Sequence, residues 1–104
     1  MNVTIKEAAY EALRKHSFKQ GTALRIKAEL SGDCGCAYYV HLIKDNPQDA
    51  DSQLVVEGIP VIIDSLTQTL LGQDMTLNYN PKFGFALSSP QEIFSYSLGV
   101  VEAK

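Results

Sequence analysis

The residues best suited to chemistry lie in one short stretch, Ser31 to Tyr39, which reads SGDCGCAYY. It contains both cysteines of the chain, Cys34 and Cys36, with Gly35 between them. In an extended segment, side chains two positions apart point to the same side, and glycine lets the backbone bend around an ion. The pattern therefore favours a site where two thiolates reach one metal.

The number of thiolates limits which site the pair can build. Iron–sulfur clusters are normally held by four thiolates, and the same number satisfies tetrahedral zinc. One chain supplies two, so a two-fold homodimer with its loops facing each other would supply four. We predict that Cys34 and Cys36 bind iron, an iron–sulfur cluster or zinc. Two alternatives stay open: a thiol pair that only packs as small hydrophobes, and a redox pair that forms a strained disulfide.

The two histidines are weaker candidates for chemistry. His41 follows the cysteines on a predicted strand, and imidazole is a common metal ligand. Strand alternation puts it on one face with Tyr39 and Ile43, which favours a core or semi-buried structural histidine. His16 ends an apolar helical stripe, where packing or a favourable helix-terminal charge explains it. A Cys–His nucleophile would need a third orienting group and a pocket. The sequence has no signature of either, so we predict that the protein is not an enzyme.

An acidic loop carries Asp45, Asp49 and Asp51. Calcium loops place acidic ligands at alternate positions around a central glycine, whereas this loop has Pro47 and no glycine. We interpret it as a solvated turn. The sequence contains no G-x-x-x-x-G-K-S/T, G-x-G-x-x-G or H-E-x-x-H motif, so phosphate-loop, dinucleotide and zinc-protease functions have no support.

Composition narrows the class of protein further. A chain of 104 residues can build one small core, so we expect a single domain over residues 1–104. A net charge of −3 argues against a nucleic-acid partner, and no apolar run approaches the roughly 20 residues of a membrane span. The N-terminus lacks a signal-peptide pattern. We therefore expect a cytoplasmic protein without a membrane partner, whose cysteines stay reduced.

Hydrophobic periodicity predicts the elements around the cysteines. Thr4 and Glu7 form a capping box that opens an apolar helix, and Gly21 is suited to end it. Alternation predicts a strand over Ala23–Leu30, with Arg25 on its polar face, and an apolar run predicts a central strand over Ala37–Lys44. The later part of the chain predicts a hairpin or sharp turn at Glu57-Gly58, and an edge strand or a bulge at Pro60. A short helix from Ser65 to Gly72 and strands through Tyr79 and Phe85 follow. Residues after Pro90 fit either a helix start or a strand.

This order predicts an α+β domain in which an N-terminal helix packs on mostly antiparallel β-strands, with a second short helix. It resembles the A-type iron–sulfur carrier family, also called HesB/IscA-like, over about residues 3–87. The resemblance is carried by these matches: Val3-Thr4-Ile5 before an Ala-rich helix with Leu13-Arg14; Leu24-Arg25-Ile26; Ser31-Gly32-Asp33-Cys34 five positions before Tyr39; Gly58-Ile59-Pro60-Val61 and Asp64; Leu70-Leu71-Gly72; and Gly84-Phe85.

The resemblance implies a HesB-like domain that assembles or carries iron or a [2Fe–2S] cluster, usually as a homo-oligomer, and passes it to acceptor apo-proteins or works with cluster-assembly proteins. Of the family's ligands, Cys34 alone carries over. Cys36 stands where the family usually has glycine, and Tyr96 and Leu98 stand where it has a C-terminal Cys-Gly-Cys. The chain therefore resembles a divergent member, and the alternative is a family-fold interaction module that has lost cluster binding.

Overall fold

The structure, a computed structural model, describes residues 2–16, 18, 20–30 and 38–103. Two helices, α1 (Glu7–Arg14) and α2 (Ser65–Leu71), occur within these ranges. The strands of the same ranges are β1 (Asn2–Ile5), β2 (Ala23–Leu30), β3 (Tyr38–Asp45), β4 (Ser52–Val56), β5 (Ile59–Ile63), β6 (Asp74–Asn80), β7 (Gly84–Ser88), β8 (Ile93–Leu98) and β9 (Val100–Glu102).

The strands form two sheets. One has the order β1-β6-β7-β8 and the other β4-β5-β2-β3-β9. The pairs β2/β3, β4/β5, β6/β7 and β7/β8 are antiparallel, whereas β1/β6, β2/β5 and β3/β9 are parallel. The predicted α+β class, with a leading helix, mostly antiparallel strands and a second short helix, is confirmed.

One hydrophobic core joins both sheets and α1. Ala9 and Leu13 bring the buried face of the helix into it. Ile26 and Leu42 enter from the middle of the five-stranded sheet, and Leu77 enters from the four-stranded one. Because apolar side chains recur at helical spacing in α1 and at every second position in the strands, burying them together fixes how the three layers stack.

The β4–β5 hairpin forms where the sequence predicts it. Glu57 and Gly58 both have positive φ, at 51° and 79°, as the tight two-residue turn between twisted strands requires. The edge position or bulge predicted from Pro60 is wrong, because β5 lies between β4 and β2 and pairs with β4 without a register shift. Proline is tolerated there since Pro60 precedes the β2–β5 pairs, which begin at Val61.

The predicted capping box at the start of the first helix is also wrong. Thr4 lies in β1, paired with Thr76 of β6, and Lys6 is the N-cap with no side-chain hydrogen bond. The Lys6 N–H donates to the Leu77 carbonyl at 2.9 Å, which extends the β1–β6 contact up to the helix. Pairing with a distant strand therefore outcompetes the local cap, and α1 ends at Arg14 rather than near Gly21.

The C-terminal part of the chain is β-structured. Ser89 accepts hydrogen bonds from the Gln91 and Glu92 N–H groups, which resembles a helix start. The chain then continues as β8 rather than as a helix. After Gly99 it leaves the four-stranded sheet and enters the other one as β9 beside β3, so this strand pair ties the two sheets together.

Candidate metal-binding hairpin

The cysteine segment connects two strands that pair along their whole length. β2 and β3 are in register from Ala23↔Asp45 to Leu30↔Tyr38, so the residues on either side of 31–37 are paired with each other. Cys34 and Cys36, the predicted ligands, lie outside the described residues. The described strands fix where both ends of their segment are held.

The inner face of this hairpin is anchored in the core. Ile26 and Ala28 of β2, and Val40 and Leu42 of β3, are all buried. The predicted alternation fails at Leu30, whose side chain is half exposed, because the core ends before the strand does. The last residue of β2, Leu30, therefore lies at the rim of the core, next to solvent.

The outer face next to the segment carries polar and aromatic side chains. Glu29 lies between two nitrogen-bearing side chains: its carboxylate oxygens are 3.5 Å from Lys27 Nζ and 3.5 Å from His41 Nε2. Tyr39, the cross-strand partner of Glu29, is 63% exposed. All the charged groups here are at least one-third exposed, so these ion pairs contribute less than about 1 kcal/mol to folding.

The two histidines lie on different surfaces. His41 does not enter the core but is semi-buried, one of the two positions that alternation predicts: its side chain is 42% exposed and its Nε2 lies 3.5 Å from a Glu29 carboxylate oxygen. His16 is half-buried with its ring centroid 6.4 Å from that of Phe85, which agrees with the predicted packing role. Neither histidine belongs to a group of three or more metal-ligating side chains within the described part of the chain.

Helix α2 contacts β2 just before the cysteine segment. The Ala28 N–H donates to Thr67 Oγ1 at 2.9 Å. The Thr67 N–H donates in turn to Asp64 Oδ1 at 2.8 Å, which caps the helix. Sequence analysis recognises the helix but misses this contact, because it links residues 39 positions apart and leaves no local signal.

Strand β8 carries Tyr96 and Leu98, which the resemblance predicts to stand where the family has its C-terminal cysteines. β8 contacts β3, the strand that follows the cysteine segment. Between Ser95 and Leu98, β8 has two residues opposite the single Ala86 of β7, so it bulges there. Such bulges change the direction of side chains; Tyr96 is 69% exposed, and Leu98 packs on the core.

A buried ionic cluster lies at the end of the β2–β3 hairpin opposite the cysteine segment. Arg25 Nε donates to Asp45 Oδ2 at 2.7 Å, and its Nη1 and Nη2 donate to the two Asp51 oxygens at 2.8 and 2.6 Å. The Asp51 side chain is only 2% exposed. The solvated turn predicted for this acidic loop is therefore wrong for Asp51 and Asp45, although Asp49 is exposed.

Electrostatics in this cluster favour the charged forms. The Arg25 guanidinium holds the pKa of Asp51 below its ordinary range, and the Gln48 N–H acts in the same direction, whereas burial opposes both. The hydrogen bonds to Asp51 raise the pKa of Arg25 despite desolvation. Its charge-assisted hydrogen bonds hold the β3–β4 connection against β2. The cluster is therefore a structural element of the fold.

No helix in the described ranges is long and apolar enough to cross a membrane.

The chain is similar to known proteins over nearly its full length. YqkB of Bacillus subtilis (strain 168) is 29% identical over 107 residues, covering 97% of this chain and 98% of the relative. A Lactobacillus acidophilus protein with a proposed role in Fe–S biosynthesis has the same fold, with a TM-score of 0.66, 21% identity and coverage of 98% of this chain and 90% of that one.

The crystal structure of IscA with the [2Fe-2S] cluster also shares the fold, with a TM-score of 0.54, 24% identity and coverage of 85% of each chain. The sequence profile of the family described as iron-sulphur cluster biosynthesis matches residues 1–102. The chain belongs to this HesB/IscA family of iron–sulfur cluster biosynthesis.

Proposed function

We propose that this protein is an A-type carrier or scaffold of iron–sulfur cluster biogenesis and not an enzyme. It acts as a single cytoplasmic domain. Its cargo is iron or a [2Fe–2S] cluster, bound by the thiolates of Cys34 and Cys36. The observation that carries the proposal is that both cysteines belong to one short connection between two fully paired strands, in a chain of this family.

The donor inventory supports this site over any other. Within the described ranges, no group of three or more His, Cys, Asp or Glu side chains is arranged to hold a metal. The two thiols of the chain, Cys34 and Cys36, both lie in residues 31–37. Because a cluster needs four thiolates, one chain alone does not fit the cargo, whereas two chains fit it.

The four-thiolate count therefore favours a homodimer with the two hairpins facing each other. Leu30 and Tyr39, exposed at the two ends of the segment, supply apolar surface around such a contact. A mononuclear zinc ion would be held by the same four thiolates. The same site therefore has two possible forms, which differ in the bound metal: an iron–sulfur cluster or a single zinc ion.

The proposed transfer of the cargo is an exchange of thiolate ligands. A thiolate of an acceptor apo-protein bonds to iron while the bond from Cys34 or Cys36 breaks, and the released thiolate takes up a proton. Iron and sulfide keep their oxidation states, so the exchange needs no redox partner. A loop at the rim of the core lets an acceptor approach without unfolding the sheets.

A second function is favoured by the residues on β8. Tyr96 and Leu98 provide no thiolate at the positions where the resembled family carries its C-terminal ligands. A protein that kept the fold and lost the cargo would act as an interaction module. Exposed Tyr96 and Tyr39 would then contribute to a binding surface.

Anaerobic reconstitution with iron and sulfide separates these functions. We expect wild type to give the absorption and Mössbauer spectra of a cluster, and Cys34→Ser and Cys36→Ser to lose them. Ser31→Ala, in the same segment, is the control that leaves both thiols in place. Absence of iron above background in wild type would contradict the carrier function and support the interaction module.

Two further measurements distinguish the remaining uses of the thiols. If zinc rather than iron is the physiological metal, protein purified from cells will contain zinc, lost in both cysteine variants. If the pair is redox-active, at least one thiol will have a lowered pKa, because reactive thiols are stabilised as thiolates. Ordinary pKa values for both would exclude the redox alternative.

A further inference from the structure

The end of β2 lacks a strand partner on one side. β5 pairs with β2 only at Leu24↔Val61 and Arg25↔Ile62, and β5 ends at Ile63, two residues before α2 begins. The β5-facing edge of β2 is therefore open beyond the end of β5, where the chain still has to reach the cysteine segment. A buried backbone N–H at such an edge needs another acceptor.

Thr67 supplies that acceptor. Its Oγ1 accepts from the Ala28 N–H at 2.9 Å, and its side chain is fully buried. The hydroxyl thus continues the hydrogen bonding of the sheet edge at the point where the strand β5 has ended. Ala28 stands three positions before Ser31, the first residue of the cysteine segment.

The hydroxyl is itself held in place by the start of α2. The Thr67 N–H donates to Asp64 Oδ1 at 2.8 Å, and the Gln68 N–H donates to the Asp64 carbonyl at 3.2 Å. Gln68 also donates from Nε2 to Ser52 Oγ on β4 at 2.9 Å. The helix that carries Thr67 is therefore fixed to β5 and β4, and not only to β2.

We infer that Thr67 is a positioning residue for the cysteine segment. Its hydroxyl holds the β5-facing edge of β2 at Ala28, three residues before the segment that contains Cys34 and Cys36. The inference rests on the proposed function for its biological meaning, since a cluster shared by two chains requires both pairs of thiolates in fixed positions. The hydroxyl itself is neither a ligand nor a reacting group.

The test compares two substitutions of Thr67. Thr67→Val keeps the shape of the side chain and removes the acceptor, whereas Thr67→Ser keeps the acceptor. A third variant, Leu77→Val in the middle of β6, lowers stability by removing core volume at a residue that belongs to neither α2 nor β2. It controls for destabilisation as such.

The first readout is amide hydrogen exchange of the metal-free protein by NMR. In Thr67→Val we expect the Ala28 amide to exchange about tenfold faster than in wild type, since the hydroxyl that accepts its hydrogen bond is gone. We also expect faster exchange in residues 31–37, and changed relative alkylation rates of Cys34 and Cys36. Thr67→Ser should restore all of these, and Leu77→Val should not produce them.

The second readout is the amount of cluster bound after reconstitution with iron and sulfide, which should fall in Thr67→Val and recover in Thr67→Ser. Two results would overturn the positioning role. One is equal exchange in Thr67→Val and Leu77→Val; the other is faster exchange confined to Ala28, with residues 31–37 unchanged. If wild type binds no cluster, the proposed function fails, and the exchange data still decide the role of Thr67.

Discussion

Arg25 donates three hydrogen bonds to two carboxylates at the end of the β2–β3 hairpin opposite the cysteine segment. A guanidinium can satisfy two carboxylates at once because its donors are fixed in a planar fork. Removing one partner of such a buried pair leaves an uncompensated charge, which costs far more than the loss of an exposed ion pair.

Asp51→Asn should lower the free energy of unfolding by about 3 kcal/mol, because Arg25 would keep only Asp45 as a charged partner. Urea unfolding measures the change. Asp49→Asn is the matched control, since it makes the same chemical change in an exposed position of the same loop, and it should cost less than about 0.5 kcal/mol. Equal effects of the two substitutions would mean that the cluster does not stabilise the fold.

The ion pair between Arg25 and Asp51 also predicts how the free energy of unfolding depends on pH. The pKa of Asp51 is lowered in the folded state, chiefly by its hydrogen bonds from Arg25. Its contribution is therefore fully present above the unfolded-state pKa of about 3.9 and is lost as the pH falls through the lower folded-state value. Below about pH 4, the free energy of unfolding should fall more steeply with decreasing pH in wild type than in Asp51→Asn. Equal slopes for wild type and Asp51→Asn below about pH 4 would contradict this prediction.

Among the elements, β8 is the least regular and meets β7 closely. Gly84 has a φ of 106°, and a Cβ on it would lie 2.7 Å from the Leu98 carbonyl oxygen. That contact is with backbone, so a side chain cannot be accommodated by a rotamer change. Gly99, one residue after β8, has open space around its Cα.

Gly84→Ala should therefore destabilise the protein by about 2 kcal/mol or more, through backbone strain and the clash with β8. Gly99→Ala should change stability by less than about 0.5 kcal/mol. Thermal unfolding of the two variants provides the comparison. If Gly84→Ala is as stable as Gly99→Ala, β8 does not pack on β7 as described.

The helices and strands also show which parts of the fold local sequence patterns can predict. β2, β3 and the β4–β5 hairpin were predictable because alternation and the Glu57-Gly58 turn are local signals. β1 was not, since Thr4 takes its partner, Thr76, from a distant strand. Burial of Arg25 likewise depends on a loop that folds back over β2, which alternation along one strand cannot indicate.

The candidate site also has parts that the sequence predicts and parts that it does not. The motif itself identifies Cys34 and Cys36 as ligands, and that assignment stays a prediction. The strands that hold the segment were also predicted. The contact of Thr67 with Ala28 was not, because sequence shows that Thr67 begins a helix but not which strand edge that helix completes.

At the scale of the whole molecule, the proposed site is complete only in an assembly. Each chain has two thiols, so loading with a cluster should shift the protein toward a dimer. Sedimentation velocity before and after anaerobic reconstitution measures this shift. Cys36→Ser should remain in its metal-free distribution under the same conditions, and an equal shift in that variant would show that dimerisation does not depend on the shared thiolates.

Native mass spectrometry of the reconstituted protein tests the central claim most directly, because it counts chains, iron and sulfide in one species. With four thiolates per cluster and two cysteines per chain, the account predicts two chains with one [2Fe–2S] cluster, and no such species in Cys34→Ser. A single chain that carries an intact cluster, or a cluster retained in Cys34→Ser, would contradict it.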